Sequence, residues 1–231
     1  RSEALTALIQ TELFEAIQIL HHPQEEEPWE RARLRMKHQE ALILQTALAE
    51  RLGYTDTPTR RASELLMQDY FKTAKVVTQM NTIVLQNMGA AVFPPPEQTP
   101  QPINERFQNT HQLLDVVDED VFNATPGAML EAFALMQQHS ELKGMSARTM
   151  RALWRARLSI DDAFRADPQN KARFLSLFKA PRGVLHEMRR MNQFDILGRY
   201  LPNFGAIVGQ MQHDLFHVYT VDQHTLQVLR N

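Results

Sequence analysis

The stretch PTRRASELLMQDYFKTAKVVTQMNTIVLQNMGAAV, residues 58–92, decides the fold class of this sequence. Apolar residues recur in it every three or four positions, which is the spacing of one face of an α-helix. The members of this apolar stripe are Leu66, Tyr70, Ala74, Val77, Met80, Val84 and Met88. An apolar stripe of this length has to be buried, so we predict one long amphipathic helix from Pro58 to about Val92 with at least two packing partners.

Two segments upstream of this helix also carry apolar residues at helical spacing. They run from Glu3 to about Leu20 and from Pro28 to about Leu52. Gly53 follows the second segment, and glycine commonly ends a helix because it adopts left-handed backbone angles at little cost. We therefore group residues 1–93 as a first helical lobe.

The segment FPPPEQTPQP, residues 93–102, has five prolines in ten positions. Proline lacks the N–H that helices and central strands need, so this segment predicts a semi-rigid extended connector over residues 94–102. A plain surface loop is the favoured interpretation, and a polyproline ligand for a partner domain is the alternative.

Residues 103–211 predict a second helical lobe, because cap residues and prolines precede most of its apolar-periodic runs. The predicted helices are Pro126 to about His139, Ser146 to Ile160, Pro168 to Lys179, Pro181 to about Met191, and a short one between Pro202 and Met211. The region 106–117 is the one plausible strand region, with a small β-hairpin turning around Asn109-Thr110-His111. The predicted fold class is all-α: two helical lobes around a long amphipathic helix, with a possible small hairpin near 106–117.

Composition excludes several functional classes. The chain has 231 residues, with 25 Lys and Arg against 27 Asp and Glu, and this balance does not predict a nucleic-acid binder. No run of eighteen apolar residues predicts a membrane-spanning helix, and no secretory signal is visible. Cysteine is absent, which excludes disulfides and thiolate chemistry and fits a cytoplasmic protein. The sequence opens at Arg1 without an initiator methionine, and we expect an excised piece of a longer chain.

Two acidic groups and one arginine series are candidates for chemistry. Mg²⁺ could in principle bind at Asp118-Glu119-Asp120 or at Asp161-Asp162. A metal-dependent reaction such as nucleotidyl transfer, however, needs carboxylates that converge from neighbouring elements, and neither group has that context. We therefore predict solvated surface residues. The arginines Arg148, Arg151, Arg155 and Arg157 lie largely along one helical face. An ion-paired or solvated face is the favoured interpretation, and an acidic partner is the alternative.

The histidines near the C-terminus are the best chemical lead. His213-Asp214, His217, Asp222 and His224 fall within twelve residues. His213 and His217 are neighbours on a helical face, whereas the capping-box pattern of Thr220 and Gln223 predicts a new helix from about Val221. Because that helix is separate, His224 does not continue the helical register of His213 and His217. The residues alone favour structural histidines over metal ligands.

At these residues the sequence resembles a known family. The block LGRYLPNFGAIVGQMQHDLFHVYTVDQHTLQVLRN, from Leu197, is similar to the entry into the HD domain of bacterial bifunctional PII uridylyltransferase/uridylyl-removing enzymes. LAERLGYTD from Leu48, RRASELLMQDYFKTAKVV from Arg60 and APRGVLHEMRRMN from Ala180 agree with it in order. These blocks cover about a third of the chain, and Glu26 to Leu44 follows the family pattern only loosely.

The resemblance implies an enzyme in four parts. A nucleotidyltransferase domain transfers UMP from UTP to the PII signalling protein, a helical region follows, an HD hydrolase removes the UMP, and two ACT domains sense glutamine. This chain resembles the helical region and, over residues 212–231, the start of the HD domain. The resemblance implies neither a catalytic nor a cofactor-binding residue in this chain. It implies that His224 is the candidate first metal ligand of the HD domain. His213-Asp214 precedes the HD helix and is not the family's metal-binding doublet.

The expected function is to space the two catalytic domains of a cytoplasmic nitrogen-signalling enzyme, without activity in isolation. Its implied partners are PII and the missing domains, with no nucleic acid or membrane, and the whole enzyme would use UTP and Mg²⁺ or Mn²⁺. The alternative is a stand-alone all-α interaction protein; an adenylyltransferase relative acting on glutamine synthetase ranks third. Where missing HD helices would pack, we expect an exposed apolar patch of Leu226, Val228 and Leu229.

Overall fold

The computed structural model describes residues 43–211 and 220–229. The predicted helix from Glu3 to Leu20, and the second segment up to residue 42, lie outside the described residues. Residues 43–51 are helical, and Gly53 follows with a φ of +84°. The N–H of Gly53 donates to the carbonyl of Glu50, and that of Tyr54 to Ala49, both at 3.0 Å. These two bonds form a Schellman ending, which confirms the predicted helix stop.

Helix α1 spans Ala62–Val92 and has 31 residues. It begins four residues after Pro58, so the predicted start was wrong. The segment before it forms a turn in which the Arg60 N–H donates to the hydroxyl oxygen of Thr57 at 2.9 Å. The carboxylate of Asp56 accepts from the N–H of Ala62 at 2.8 Å and satisfies one of the first free donors of the helix.

A four-stranded mixed sheet corrects the all-α prediction. Its strands, in spatial order, are β1 (Gln101–Pro102), β2 (Phe107–Thr110), β3 (Leu113–Val116) and β4 (Gly144–Met145). The first three are antiparallel, and β4 is parallel to β3. The predicted hairpin is confirmed as β2 and β3, but its turn is His111-Gln112, where both residues have positive φ angles. Strands of two residues leave no periodic pattern, so β1 and β4 were missed.

The helices downstream of the hairpin are short. They are α2 (Val121–Ala124), α3 (Ala128–Gln138), α4 (Ala147–Ala156) with a 3₁₀ turn (Arg157–Ser159), α5 (Asp162–Ala166), α6 (Pro168–Lys179), α7 (Val184–Gln193), α8 (Ile196–Tyr200), α9 (Pro202–Ile207) and α10 (Val221–Val228).

Helix starts follow their cap residues. The side chain of Asp167 accepts from the backbone N–H three residues onward, which confirms the predicted cap of α6. Ser146 caps α4 in the same way. Helix α7 starts at Val184 after Gly183, whose φ is +81°, so the predicted start at Pro181 was wrong. None of the helices within the described ranges is long and apolar enough to cross a membrane.

The described residues divide into two compact units. One contains the residues up to Lys72 together with Val208–His224, and the other contains Thr73–Ile207 together with the residues from Thr225. The division therefore falls within α1 and within α10. The domain boundaries read from the sequence, at residues 93/94, 102/103 and 211/212, stay predictions.

The core of the second unit is built around α3. Its fully buried large side chains come from the hairpin and from helices α2, α3, α4 and α6 to α8. They are Phe107, Phe122, Phe133, Leu114, Met129, Leu130, Leu153, Leu177, Met188, Met191, Ile196 and Leu197.

Helix α1 presents its apolar stripe outward in the second unit. Val77 and Val84 are 52% and 50% exposed, and Met80 and Met88 are also exposed, whereas Gln79 and Ile83 are buried. The predicted packing stripe of this helix was therefore wrong over its second half.

Within the second unit, long polar side chains on the opposite face of α1 contact the neighbouring elements. Lys75 Nζ donates to the carbonyl of Asn192 at 3.0 Å, and Gln86 Nε2 donates to the carbonyl of Met145 at 3.2 Å. These bonds satisfy carbonyls at the end of α7 and in β4. This inward face is held mainly by hydrogen bonds, with Ile83 as its buried apolar contribution.

Candidate functional site

His224 lies in the first turn of α10. The N–H of Val221 donates to the carbonyl of Gln210 at 2.8 Å, and the N–H of His224 donates to the carbonyl of Thr220 at 2.9 Å. The new helix predicted from Thr220 and Gln223 therefore does begin at Val221. His224 is exposed, while Thr220 is buried just before the helix.

A buried carboxylate fixes the start of this helix. Asp222 is buried, and its Oδ1 accepts from the N–H of Gly209 at 3.0 Å. Gly209 has a φ of +72°, a conformation that strains other residues. Asp222 was grouped with the histidines as a candidate for chemistry, and the structure gives it a positioning contact instead.

The first part of α1 supports the same turn. Gln68 is buried, its Nε2 donates to the carbonyl of Val208 at 2.9 Å, and its Oε1 accepts from the guanidinium of Arg60. A Cβ on Gly209 would come within 3.0 Å of the carbonyl oxygen of Gln68. Gln68 and Val208 are 140 residues apart, so no local sequence signal could have identified Gln68 as a support of His224.

The described residues do not complete a metal site. No group of three or more His, Asp or Glu residues that could hold a metal ion occurs in residues 43–211 and 220–229. His213, Asp214 and His217 lie outside these ranges. A catalytic metal commonly takes three or more protein ligands, and a single exposed imidazole does not fit that requirement.

The two acidic groups lie on the surface, as predicted, and Asp161 also caps a helix. Asp118, Glu119 and Asp120 are exposed. Asp161 caps α5 by accepting from the N–H of Phe164 at 2.8 Å.

The arginine series is also paired within the chain. Arg148 Nη2 lies 2.8 Å from a carboxylate oxygen of the buried Asp115, and Glu119 lies within 4 Å of Arg151 and Arg155. Arg157 stacks on the Trp154 ring, with 3.4 Å from its guanidinium carbon to the ring centroid. The ion-paired interpretation of this face is confirmed.

The expected apolar patch in α10 is present in part. Leu226 is 3% exposed and belongs to the core of the second unit, so its expected exposure was wrong. Val228 and Leu229 are 65% and 45% exposed.

Helix α7 carries a second arrangement of titratable groups. Glu187 is 2% exposed, and both of its carboxylate oxygens accept from Arg190 Nη1, at 2.8 and 2.9 Å. Burial raises the pKa of Glu187 to about 7, although the charge of Arg190 and its hydrogen bonds act in the opposite direction. Arg190 Nη2 lies 2.8 Å from Nε2 of His186, and burial together with the charges of Arg190 and Arg189 lowers the pKa of His186.

The fold and the surroundings of His224 define the structural class of this protein. The described residues form a mainly helical module with a small mixed sheet, one exposed histidine on a buried support, and neither a complete metal site nor a glycine-rich phosphate loop.

Comparison with protein families identifies the module. The third domain of the uridylyltransferase GlnD matches residues 107–200, and the GlnD PII-uridylyltransferase family matches residues 21–85. The chain belongs to the family of bacterial bifunctional uridylyltransferase/uridylyl-removing enzymes.

Individual relatives agree with this assignment. The chain is 55% identical over 188 residues to the bifunctional uridylyltransferase/uridylyl-removing enzyme of Bordetella avium, which covers 81% of this chain and 22% of the relative. The same enzyme of Aromatoleum aromaticum is 56% identical over 187 residues, with the same shares. That of Cupriavidus pinatubonensis is 48% identical over 206 residues, or 87% of this chain and 24% of the relative. The chain thus spans about a fifth of the length of these relatives, and no solved structure matches it.

Proposed function

We propose that this chain is the helical region of an enzyme that uridylylates and deuridylylates the PII signalling protein in response to glutamine. In this proposal the region spaces the two catalytic domains and is inactive alone. The observation that carries it is the 55% identity over 81% of this chain, confined to 22% of a bifunctional relative. A cytoplasmic location and PII as the partner belong to the same proposal, because their support is the resemblance.

The shape of α1 supports a spacing role. A helix of 31 residues is about 46 Å long, which exceeds the roughly 30 Å diameter of a small domain. Its outward apolar face, with Val77, Val84, Leu85 and Met88 exposed, is the kind of surface that packs against another part of a protein. The spacing role predicts that shortening this helix uncouples the two activities without abolishing either one.

His224 is proposed as the first metal ligand of the hydrolase in the longer enzyme, where Mg²⁺ or Mn²⁺ would be bound and UTP would serve the transferase. Its exposed imidazole on a buried support is the arrangement that a ligand needs, because a ligand must be held in place and remain accessible. The supporting residues in this chain are Asp222, Gly209 and Gln68.

The test is His224→Ala in the full-length enzyme that contains this sequence. Removal of UMP from uridylylated PII should fall by at least a hundredfold, while transfer of UMP to PII stays within twofold. Gln223→Ala, at an exposed neighbouring position, is the matched control and should leave both rates unchanged. Normal uridylyl removal by the His224→Ala enzyme would refute the assignment.

The isolated chain provides a second test. We expect neither turnover of UTP nor stoichiometric Mn²⁺ binding by the 231-residue polypeptide. Measurable turnover, or tight binding of one Mn²⁺ per chain, would show that this region is more than a spacer.

One observation favours the alternative of a stand-alone interaction module. Residues 94–102 are exposed throughout, as a polyproline ligand would be. The ion pairs of Arg148, Arg151 and Arg155 weaken it, because they already engage the arginine face. The mass of the native polypeptide decides between the two proposals: a mass near 26.7 kDa would favour the interaction module, and a mass several times larger would favour the enzyme.

A further inference from the structure

Two arginines from separate elements meet at one carboxylate in the second unit. Asp195 lies just before α8, and its Oδ2 is 2.8 Å from Nε of Arg199 on that helix. The same oxygen is 3.5 Å from Nε of Arg157, which begins the 3₁₀ turn after α4. The structure therefore brings two guanidinium groups to a single oxygen atom. We name Arg157, Asp195 and Arg199 the Asp195 cluster.

The Asp195 cluster carries more positive than negative charge. Among the described residues, Asp195 supplies the one carboxylate that lies within 4 Å of either guanidinium group. Burial lowers the pKa of Arg157, and the charge of Arg199 acts in the same direction, whereas the charge of Asp195 opposes it. Two like charges held near each other with a single counter-charge favour the binding of a second anion.

Hydrogen bonding is also incomplete in the Asp195 cluster. Asp195 accepts a hydrogen bond from Nε of Arg199, but Nε of Arg157 is buried without a hydrogen-bond partner in the part of the chain that the structure describes. There, Nη2 of Arg157 and both Nη atoms of Arg199 also form no hydrogen bond. Both side chains are partly exposed, so these Nη donors are accessible to a small ligand.

Both arginines are held in place by contacts on their other sides. The guanidinium of Arg157 stacks on the ring of Trp154, and its Nη1 donates to the carbonyl of Trp154. The backbone at Arg199 is held by Arg165 of α5, whose Nη1 donates to the Arg199 carbonyl at 2.9 Å. Groups that are already ordered lose less conformational entropy when they bind a ligand.

We propose that Arg157 and Arg199 bind the phosphate group of a phosphate-bearing ligand beside Asp195. A guanidinium presents a planar fork of N–H donors that matches phosphate oxygens. A tetrahedral phosphate accepts hydrogen bonds from several directions, which suits donors from two separate elements, whereas one fork satisfies a planar carboxylate. The single excess positive charge would be neutralised by a phosphate monoanion or diester. This site goes beyond the proposed function and needs no activity of the longer enzyme.

Binding is measured by calorimetry on the 231-residue chain, with inorganic phosphate and UMP as the probes. Chloride at about 0.15 M screens non-specific attraction between exposed charges. At least one probe should bind, and Arg199→Gln should weaken that binding by at least about tenfold, because it removes a charged donor. Arg155→Gln is the matched control: it removes an exposed guanidinium of α4 that pairs with Glu119, and the affinity should stay within about twofold.

A second variant tests the site by a gain of binding. Asp195→Asn removes the carboxylate that competes with phosphate for the two arginines, and asparagine tolerates the φ of +62° at this position. The probe should then bind at least about threefold more tightly, because a nearby negative charge is gone. A purely structural ion pair would lose stability without any gain in affinity.

NMR locates the bound anion within the chain. The Nε–H signals of Arg157 and Arg199 should shift when phosphate is added, and that of Arg155 should stay unchanged. A higher affinity for UMP would identify a nucleotide as the source of the phosphate group, and an equal affinity would identify free phosphate. Either result supports the site.

The proposal is overturned if neither probe binds, if Arg199→Gln binds as tightly as the unaltered chain, or if Asp195→Asn binds no more tightly. Binding of acetate as tight as that of phosphate would indicate a carboxylate site, and would also overturn it. These measurements need no enzymatic activity. They can therefore fail while the proposed function holds, and succeed while it fails.

Discussion

Helix α3 and the second half of α1 belong to the same unit and bury opposite kinds of side chain. Helix α3 buries seven of its eleven residues, all of them apolar. From Val76 to Val92, α1 buries Gln79 and Ile83 and exposes its valines and methionines at positions 77, 80, 84 and 88. Two helices with similar apolar periodicity thus pack in different ways, because periodicity shows that an apolar face exists but not what that face contacts.

The charge pattern explains why the sequence does not show which face of α1 is buried. From Val76 to Pro96 the sequence has no charged residue, so neither side of the helix is marked as the solvent side. The two faces differ only in apolar against uncharged polar residues, and the polar amides of Gln79 and Gln86 lie inward.

The largest expected effect tests the core side of this comparison. Phe133 of α3 is fully buried, so Phe133→Ala should lower the free energy of unfolding by about 3–5 kcal/mol. Val84→Ala, on the exposed face of α1, should change it by less than about 0.5 kcal/mol. Urea denaturation of both variants measures the difference. Equal losses would break the comparison, since the α1 face would then be packed in solution.

The next largest effect concerns Glu187. This titratable residue is buried in α7, just as the amide side chain of Gln79 is buried in α1. Because the pKa of Glu187 is raised to about 7, the folded state holds a proton that the unfolded state releases near pH 4.5. The stabilisation that protonated Glu187 gives the folded state is complete below about pH 4.5. As the pH rises to about 7, the free energy of unfolding falls by about 3 kcal/mol.

Glu187→Gln should remove this decline, and the exposed Glu119→Gln should keep it. Urea denaturation at several pH values between 4 and 8 measures it. The same decline in Glu187→Gln would mean that another group is responsible.

A smaller effect separates the two inward amides of α1. Gln79 is 1% exposed, and within the described part of the chain neither its Nε2 nor its Oε1 has a hydrogen-bond partner. Gln79→Leu removes two unsatisfied polar atoms and should stabilise the protein by about 1–3 kcal/mol. Gln86→Leu removes the donor to the Met145 carbonyl and should destabilise it by about 1 kcal/mol. If both variants shift the melting temperature in the same direction, the inward polar face of α1 has been misassigned.

The smallest effects come from a pair of glycines. A Cβ at Gly89, in α1, would meet nothing within 4 Å, so Gly89→Ala should stabilise the protein by about 0.5–1 kcal/mol. Gly209→Ala should cost about 1–2 kcal/mol, because it strains a φ of +72° and crowds the Gln68 carbonyl. Thermal denaturation checks the signs. A stabilising Gly209→Ala would show that the turn before α10 is looser than the structure indicates.

The site was only partly readable from the sequence. Thr220 and Gln223 predicted the start of α10, and the resemblance of the surrounding block singled out His224. Gln68 was not readable, because it acts on Val208 across 140 residues. Asp222 was grouped with the histidines, and its contact with Gly209 emerged only from the fold.

The sequence by itself determined the features whose signals lie within about four residues of the chain. Gly53 ended its helix, Asp167 and Pro168 started α6, and the segment 106–117 formed a hairpin, because caps and turns are made from neighbouring backbone groups. The tertiary structure alone decided the outward direction of the apolar face of α1 and the pairing of β3 with β4. The inward face of α1 is held by Lys75, which donates to the carbonyl of Asn192, and by Gln86, which donates to that of Met145. These partners lie 117 and 59 residues away along the chain, beyond the reach of any local sequence pattern.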